Sequence, residues 1–205
     1  MAVHSFLNII LNIEQFDHWL FKKINGQWAN SFFDILFPLT RQSNFWMPWY
    51  LFLFILVVFN FRKNWWWWII LFLCTVALTD MIGTRLFKHV FERLRPCSDP
   101  DFFSSVRMIL KECAGGYGFI SNHAANNFGL ATFVFFTVGR HFGKWFSVIW
   151  LWPLAVSYGQ IYVGVHYPSD VLAGVILGLV IGLLTANLFN KRFARATDAS
   201  GTGIT

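Results

Sequence analysis

Residues 65–87 read WWWWIILFLCTVALTDMIGTRLF, an apolar run in which charge appears only toward the far end. A helix needs about 20 predominantly apolar residues to cross the hydrocarbon core of a bilayer. The charged residues of the run are Asp80 and Arg85. Charged side chains inside a span tend to be functional, because burying them in lipid is expensive. The stretch therefore predicts a membrane-spanning helix with a functional site toward its far end.

The composition agrees with a membrane location. Of the 205 residues, 56% are hydrophobic, 20% are aromatic and only 13% are charged, and the mean hydropathy is +0.51. This shortage of charge excludes a disordered chain, a coiled coil and a disulfide-dense secreted module. The net charge of +6 would raise nucleic acid as a partner of a soluble protein. In a membrane protein it indicates cytoplasmic loops or contact with acidic headgroups, so we expect the bilayer, and no nucleic acid, as partner.

Five apolar stretches together predict the fold class, an all-α polytopic membrane helix bundle. The predicted spans are residues 44–61, 65–87, 119–139, 145–165 and 168–190. Five spans are expected, with six as the alternative.

The chain divides into three parts around these spans. In residues 1–42, apolar residues at helical spacing are interrupted by charges, which predicts helices lying in the membrane interface. Residues 43–190 form the transmembrane core, and residues 191–205 are predicted to be a disordered cytoplasmic tail.

Basic residues predict the orientation. Arg62, Lys63, the turn at 140–144 and the C-terminal Lys191, Arg192 and Arg195 fall on one side, which the positive-inside rule makes cytoplasmic. The loop at 88–118 is then extracytoplasmic. We expect the inner (plasma) membrane, with the functional site facing the periplasm or the outside.

Two cysteines, Cys97 and Cys113, fall in the predicted outer loop. A disulfide between them would restrain a long polar loop and would form only in an oxidising compartment. The alternative is two free thiols in a cytoplasmic loop.

Three polar clusters stand at the outer ends of the predicted spans. They read KHVFERLRP at 88–96, GFISNHAAN at 118–126 and GVHYPSD at 164–170. In the second, Ser121 is a natural N-cap, which leaves the following backbone amides at the positive end of a helix, a ready anion site. In the third, Asp170 lies one turn into a helix and close to His166, where a carboxylate fixes the imidazole tautomer and leaves the other nitrogen as a nucleophile. Each cluster alone is also explained by a purely structural role, in lipid contact or in helix capping.

Together and in this order, the clusters resemble the three-part signature of the type 2 phosphatidic acid phosphatase superfamily, the lipid phosphate phosphatases. The first motif of that family, Lys, six residues and Arg-Pro, is matched by Lys88, Arg95 and Pro96. The resemblance covers residues 88–170, and the hydrophobic frame around them also fits.

The second and third motifs match in part. Ser121 and His123 fit Pro-Ser-Gly-His, and His166 and Asp170 fit the end of Ser-Arg, five residues, His, three residues, Asp. The departures are Ile120 and Asn122 in place of Pro and Gly, and Gly159 and Gln160 in place of Ser and Arg.

The resemblance implies roles for these residues. His166 would attack phosphorus to give a phosphohistidine, Asp170 would orient its ring, and His123 would protonate the leaving oxygen and then activate water. Phosphate oxygens would be bound by a set of five positions: Lys88, Arg95, Ser121, the backbone amide of Asn122, and Gln160. No metal or cofactor is implied. Gln offers a neutral donor where Arg offers a charged one, so we expect an active enzyme with a chance that it is slow.

Several functions stay open at this point. Among phosphorylated membrane lipids, undecaprenyl diphosphate is favoured, and phosphatidate, phosphatidylglycerophosphate and lipid A are alternatives. A different class is a membrane haem or metal protein with His123 and His166 as ligands. A third is a catalytically weak relative that binds lipid headgroups. The oligomeric state is open.

Overall fold

The computed structural model describes residues 2–61, 64–139 and 142–194, and within these ranges the chain is helical and has no strand. The helices, in chain order, are α1 (Ala2–Phe21), α2 (Ser31–Thr40), α3 (Met47–Phe61), α4 (Trp65–Ile82), α5 (His89–Phe91), α6 (Asn122–Thr137), α7 (Leu151–Tyr162) and α8 (Pro168–Phe189). Short π-helical turns extend several of them, at Lys22–Gln27, Gly83–Lys88 and Asn190–Ala194. The predicted all-α membrane bundle is confirmed.

Among the described residues, three helical stretches are long and apolar enough to cross a membrane: Ser43–Phe61, Trp65–Phe91 and Pro168–Phe193. They coincide with the first, second and fifth predicted spans. The third and fourth form shorter helices, α6 with 16 residues and α7 with 12 residues after a 3-10 turn at Gly143–Trp150. The first turns of α6 carry His123, Asn126 and Asn127. These polar side chains interrupt the apolar run of the third predicted span. The count of five or six spans stays a prediction.

The two ends of the chain are partly described. Helices α1 and α2 occupy the segment predicted to lie in the interface, and their depth in a membrane stays a prediction. Residues 191–194 continue α8 as a helical turn, so this part of the predicted tail is helical, whereas residues 195–205 lie outside the described residues. Arg62, Lys63 and Arg140, on which the predicted orientation partly rests, also lie outside them.

Helices α6 and α8 form the centre of the bundle and touch backbone to backbone. A Cβ atom added at Gly174 would lie 2.5 Å from the carbonyl oxygen of Ser121, and one at Gly178 would collide with that of Ala125. Gly182 repeats the contact one turn further along α8. Small residues at this spacing let two helices approach closely, which is the usual means of packing helices in lipid. This glycine contact fixes the first turn of α6 beside the first turn of α8.

The outer loop is closed by a disulfide and holds the N-terminal segment. Cys97 and Cys113 are bonded, with their Cα atoms 5.7 Å apart, so the predicted disulfide is confirmed. Between them, the Arg107 guanidinium donates to both carboxylate oxygens of Asp34 in α2, at 2.9 and 3.0 Å. The backbone N–H of Arg107 donates to Asn25 Oδ1 at 2.7 Å. The loop therefore fastens the N-terminal helices to the polar end of the bundle.

Candidate active site

His166 lies in the turn between α7 and α8. Gly164 opens this turn with a φ of +90°, a conformation that favours glycine. Pro168 begins α8, and Asp170 caps it by accepting the backbone N–H of Tyr167 at 2.9 Å. The cap brings Asp170 Oδ2 to 3.7 Å from His166 Nδ1, an ion-pair distance rather than a hydrogen bond. Local sequence thus places the carboxylate on one side of the imidazole.

Arg95 contacts the other side of the ring. Its Nη1 donates to His166 Nε2 at 3.0 Å and to the Val165 carbonyl at 3.1 Å. Because a guanidinium only donates, Nε2 accepts, and the proton of the neutral ring lies on Nδ1, facing Asp170. His166 is 2% exposed, and this burial lowers its pKa to about 4. His166 is therefore neutral at neutral pH, with a lone pair on Nε2.

The start of α6 is attached to the same corner. Ser121 Oγ accepts the backbone N–H of Ala124 at 3.4 Å and so caps the helix, as the sequence predicted. The Ser121 N–H donates to the Asp170 carbonyl at 3.0 Å. The Asn122 Nδ2 donates to Asp80 Oδ1 at 2.7 Å and to Thr84 Oγ1 at 2.8 Å. The Asn122 Nδ2 is thus engaged within the protein, and the backbone amide of Asn122 stays the predicted phosphate donor.

His123 is exposed and lines a cavity of about 340 Å³ between α3, α4 and α6. Polar side chains make up much of its wall: Ser43, Tyr50, Asp80, Asn122, Asn126 and Asn127. His166 and His123 thus differ in access, the first being enclosed and the second facing open space.

The predicted site residues form one electrostatic cluster. The positive charges of Lys88, Arg95 and Arg41 act electrostatically on His123, which also interacts with His166. Lys88 interacts in turn with Arg95, Asp80 and Asp170. The structure therefore brings the matched residues of all three motifs together. Gln160 is fully buried, and its backbone carbonyl accepts the N–H of Val165, the residue before His166, at 3.2 Å.

Two further charged residues, Arg93 and Asp17, hold Asp170 in place. Arg93 Nη1 donates to Asp170 Oδ1 at 2.7 Å, and Nη2 donates to Asp17 Oδ2 at 2.6 Å. Asp17 of α1 is fully buried and also accepts the backbone N–H of Ser169 at 2.8 Å. No sequence pattern marks Asp17 as a site residue, because it is 152 positions from Ser169 along the chain. Arg93 was visible only as one more basic residue in the first cluster.

Metal ligands do not gather at this site. Among the described residues, no group of three or more His, Cys, Asp or Glu side chains is placed to hold a metal ion. The arrangement has instead the parts that an anion site needs: cations, a helix N-terminus and a neutral imidazole.

Comparison with known proteins identifies the family. The family model described as the PAP2 superfamily matches residues 71–194. The chain belongs to the PAP2 superfamily. The matched range contains all three motifs, whereas Asp17 and Arg41 lie outside it.

Two curated PAP2 relatives are lipid A 4'-phosphatases. That of Porphyromonas gingivalis is 34% identical over 62% of this chain and 53% of its own length, so the chain spans about half of that relative. That of Bacteroides thetaiotaomicron is 30% identical over 80% of this chain and 73% of its own length. An undecaprenyl-diphosphatase of Sulfolobus acidocaldarius is 28% identical over 88% of this chain and 80% of its own.

Two solved structures share the PAP2 fold. The phosphatidylglycerolphosphate phosphatase of Bacillus subtilis superposes with a TM-score of 0.64 at 21% identity, over 93% of this chain and 96% of that one. LpxE of Aquifex aeolicus gives a TM-score of 0.59 at 22% identity, over 82% and 93%. At this identity the likeness concerns the fold alone.

Proposed function

We propose that the protein is a membrane lipid phosphatase that hydrolyses a phosphate monoester of a lipid A-type glycolipid through a phosphohistidine at His166. The observation that carries this is the contact of Arg95 Nη1 with His166 Nε2 at 3.0 Å, with Asp170 on the Nδ1 side of the ring. A neutral imidazole oriented by a carboxylate, with its free nitrogen beside a buried cation, suits attack on a bound phosphate.

The resting contact also indicates how the nucleophile is released. A guanidinium prefers a phosphate dianion to a neutral nitrogen, because charge-assisted hydrogen bonds are about twice as strong as neutral ones. An arriving phosphate would draw Arg95 Nη1 from Nε2 to its own oxygen. Nε2 would then face phosphorus with its lone pair free.

The two steps of the reaction use the two histidines differently. The Nε2–P bond forms as the P–O bond to the lipid breaks, and His123 donates a proton to the leaving oxygen. His123 then takes a proton from water, whose oxygen attacks phosphorus and frees His166 with release of inorganic phosphate. Asp170 stabilises the positive imidazole ring in between. The exposed position of His123 suits exchange of lipid and water.

Phosphate oxygens would be held by the cations and by the start of α6. Lys88, Arg95 and the backbone amide of Asn122 supply charge and donors, and Gln160 a neutral one. Ser121 Oγ is engaged in capping, and its hydroxyl hydrogen is left to donate. No metal is required by this scheme.

The cavity beside His123 supports a sugar-bearing substrate. Its wall holds Asp80, Asn126 and Asn127, side chains that bind hydroxyl groups and, in the case of Asp80, repel further phosphate. Two lipid A 4'-phosphatases among the relatives support the same class. Undecaprenyl diphosphate, which the sequence alone favoured, is the second candidate because of the relative from Sulfolobus acidocaldarius.

Phosphate release from purified protein tests the proposal. The panel is lipid A, undecaprenyl diphosphate, phosphatidate and phosphatidylglycerophosphate, each with EDTA. We expect release from lipid A, lost by about a thousandfold or more in His166→Ala. His89→Ala is the matched control, because His89 is an exposed histidine at a spacer position of the first motif and has no role in the proposed mechanism. Full activity of His166→Ala, or activity abolished by EDTA, would contradict the mechanism.

The same assay separates the other classes. Preference for undecaprenyl diphosphate would move the substrate to the second candidate. Headgroup binding without hydrolysis of any lipid would identify a binding protein, and stoichiometric iron or zinc a haem or metal protein.

Trapping the intermediate tests the roles of the two histidines. With a labelled aryl phosphate, whose leaving oxygen needs no proton from His123, His123→Ala is expected to retain acid-labile label on His166, because release of the phosphate needs His123 as base. His166→Ala is expected to retain none. Label on another residue would contradict the assignment.

The proposed site faces the periplasm or the outside of the plasma membrane. The Cys97–Cys113 disulfide supports this, because disulfides persist in oxidising compartments. Labelling with a membrane-impermeant thiol reagent after mild reduction of whole cells tests the side on which the loop lies. Labelling only after lysis would place the loop inside.

A further inference from the structure

Gln160 is unusual because its buried side-chain amide makes no hydrogen bond within the described residues. Gln160 is fully buried, and neither its Oε1 nor its Nε2 has a hydrogen-bond partner among the described residues. A buried amide without partners costs free energy, and such groups in folded proteins usually await a ligand or water. Gln160 stands where the family motif has an arginine, so α7 lacks the phosphate-binding cation that the motif would supply.

The end of α2 packs against this very position. The Phe37 ring packs at a tilt against Tyr158 and Tyr162 of α7, with ring centroids 5.1 and 4.8 Å apart. A Cβ atom added at Gly159 would lie 3.3 Å from the Phe37 ring and 3.5 Å from Thr40 Oγ1. Gly159, where the motif has Ser, therefore lets α2 approach α7 closely. The residue after Thr40 is Arg41.

Arg41 brings a positive charge to the site, and no carboxylate among the described residues pairs with it. It is half-buried, and its Nε is buried without a hydrogen-bond partner in the described part of the chain. Its charge acts on His123 and on Arg95. Two guanidinium groups whose charges act on each other repel, and an anion bound near both would offset that repulsion.

We propose that Arg41 takes the place of the arginine missing at position 160 and binds oxygens of the substrate phosphate together with Arg95. The ligand is a phosphate group carrying two negative charges, and Gln160 Nε2 is a neutral donor beside it. This rests on the proposed function and adds a residue that lies outside the matched family range. The cation reaches the site from α2 instead of α7.

A double-mutant cycle tests the exchange of positions. Arg41→Gln is expected to lower kcat/KM by about tenfold to a hundredfold, the value of one charge-assisted contact in the transition state. Gln160→Arg alone is expected to raise kcat/KM far less in the wild-type background than in the Arg41→Gln background, since the charge is already present. The double variant is expected to regain at least tenfold over Arg41→Gln. Arg192→Gln, an exposed arginine at the other end of the bundle, is the matched control.

Equal effects of Gln160→Arg in both backgrounds would overturn the proposal, because independent sites add. So would an Arg41→Gln variant with unchanged kcat/KM. Arg41→Lys, which keeps the charge and loses the fork, is expected to fall between wild type and Arg41→Gln.

Binding of inorganic phosphate separates this proposal from the proposed function. In the His166→Ala background, phosphate is expected to raise the melting temperature, and Arg41→Gln is expected to weaken its apparent affinity at least tenfold. This readout needs no turnover. Loss of binding in Arg41→Gln in a protein that hydrolyses no lipid would uphold the anion site and refute the phosphatase. Unchanged phosphate binding would refute the anion site.

Discussion

Helix α8 is contacted in two different ways at its first turns. On one side α6 meets it backbone to backbone, with Gly174 and Gly178 against Ser121 and Ala125. On the other side α1 is attached through charged groups, with Arg93 between Asp17 and Asp170. The first contact cannot be altered without moving a helix, whereas the second depends on the charge state and length of three side chains.

The glycine contact holds the bundle together, whereas the ion-pair contact orients the proposed catalytic groups. The glycine contact is made by small residues and dispersion, and it fixes where α6 and α8 begin. The ion-pair contact fixes how the Asp170 carboxylate is turned toward His166. Both carboxylates that Arg93 joins are fully buried, so the guanidinium is the cation that compensates both of them.

Breaking the ion-pair contact is expected to have the largest effect. Arg93→Met leaves two buried carboxylates without their cation, which typically costs about 3 to 5 kcal/mol in unfolding free energy. The measurement is denaturant or thermal unfolding in detergent, with Arg192→Met as the control on an exposed arginine. An unfolding free energy within about 1 kcal/mol of wild type would show that water replaces the guanidinium.

Much of the site was predictable from sequence because its chemistry is local or motif-bound. Pro168 and Asp170 place a carboxylate beside His166 through helix capping alone, and the structure shows this cap. The motif spacing selected Lys88, Arg95 and His123, which the fold brings together.

The rest depended on contacts between distant parts of the chain. Asp17 and Arg41 lie in helices whose sequence reads only as amphipathic, and nothing in their spacing marks them as neighbours of the site. The Asn122 side chain binds Asp80 and Thr84, partners that its position in the motif does not reveal, and its backbone amide stays the predicted phosphate donor. The glycines of α8 recur every four residues, a pattern that hydropathy alone does not register.

Breaking the glycine contact is expected to have the next largest effect. Gly178→Leu forces α8 away from the backbone of α6, and overpacking of this kind costs about 1 to 3 kcal/mol. Gly26→Leu is the matched control, because a Cβ atom there meets nothing within 4 Å. Melting in detergent compares the two. Equal stability of both variants would show that α6 and α8 are not in close contact.

Asp17→Asn sharpens the comparison with the smallest change. The amide keeps the shape of the carboxylate and removes one charge from Arg93, so the fold is expected to survive while Asp170 loses its fixed aim. We expect kcat to fall about tenfold with KM within twofold, as for a positioning residue.

Asp17→Glu, which keeps the charge, is expected to recover part of the lost kcat. A rise in KM at constant kcat would instead indicate that α1 binds the lipid and does not position Asp170.

The Cys97–Cys113 disulfide has a second consequence, because it also holds residues of the proposed site. Cys97 follows Arg95 by two residues, and Gly116, three residues after Cys113, accepts the Nε–H of Arg95 at 3.1 Å. The ring they close also contains Arg107, which fastens α2 through Asp34. One covalent bond therefore secures Arg95 and, through α2, the approach of Arg41. We expect reduction of this disulfide in the purified protein to lower phosphate release, because Arg95 and Arg41 are then less firmly held.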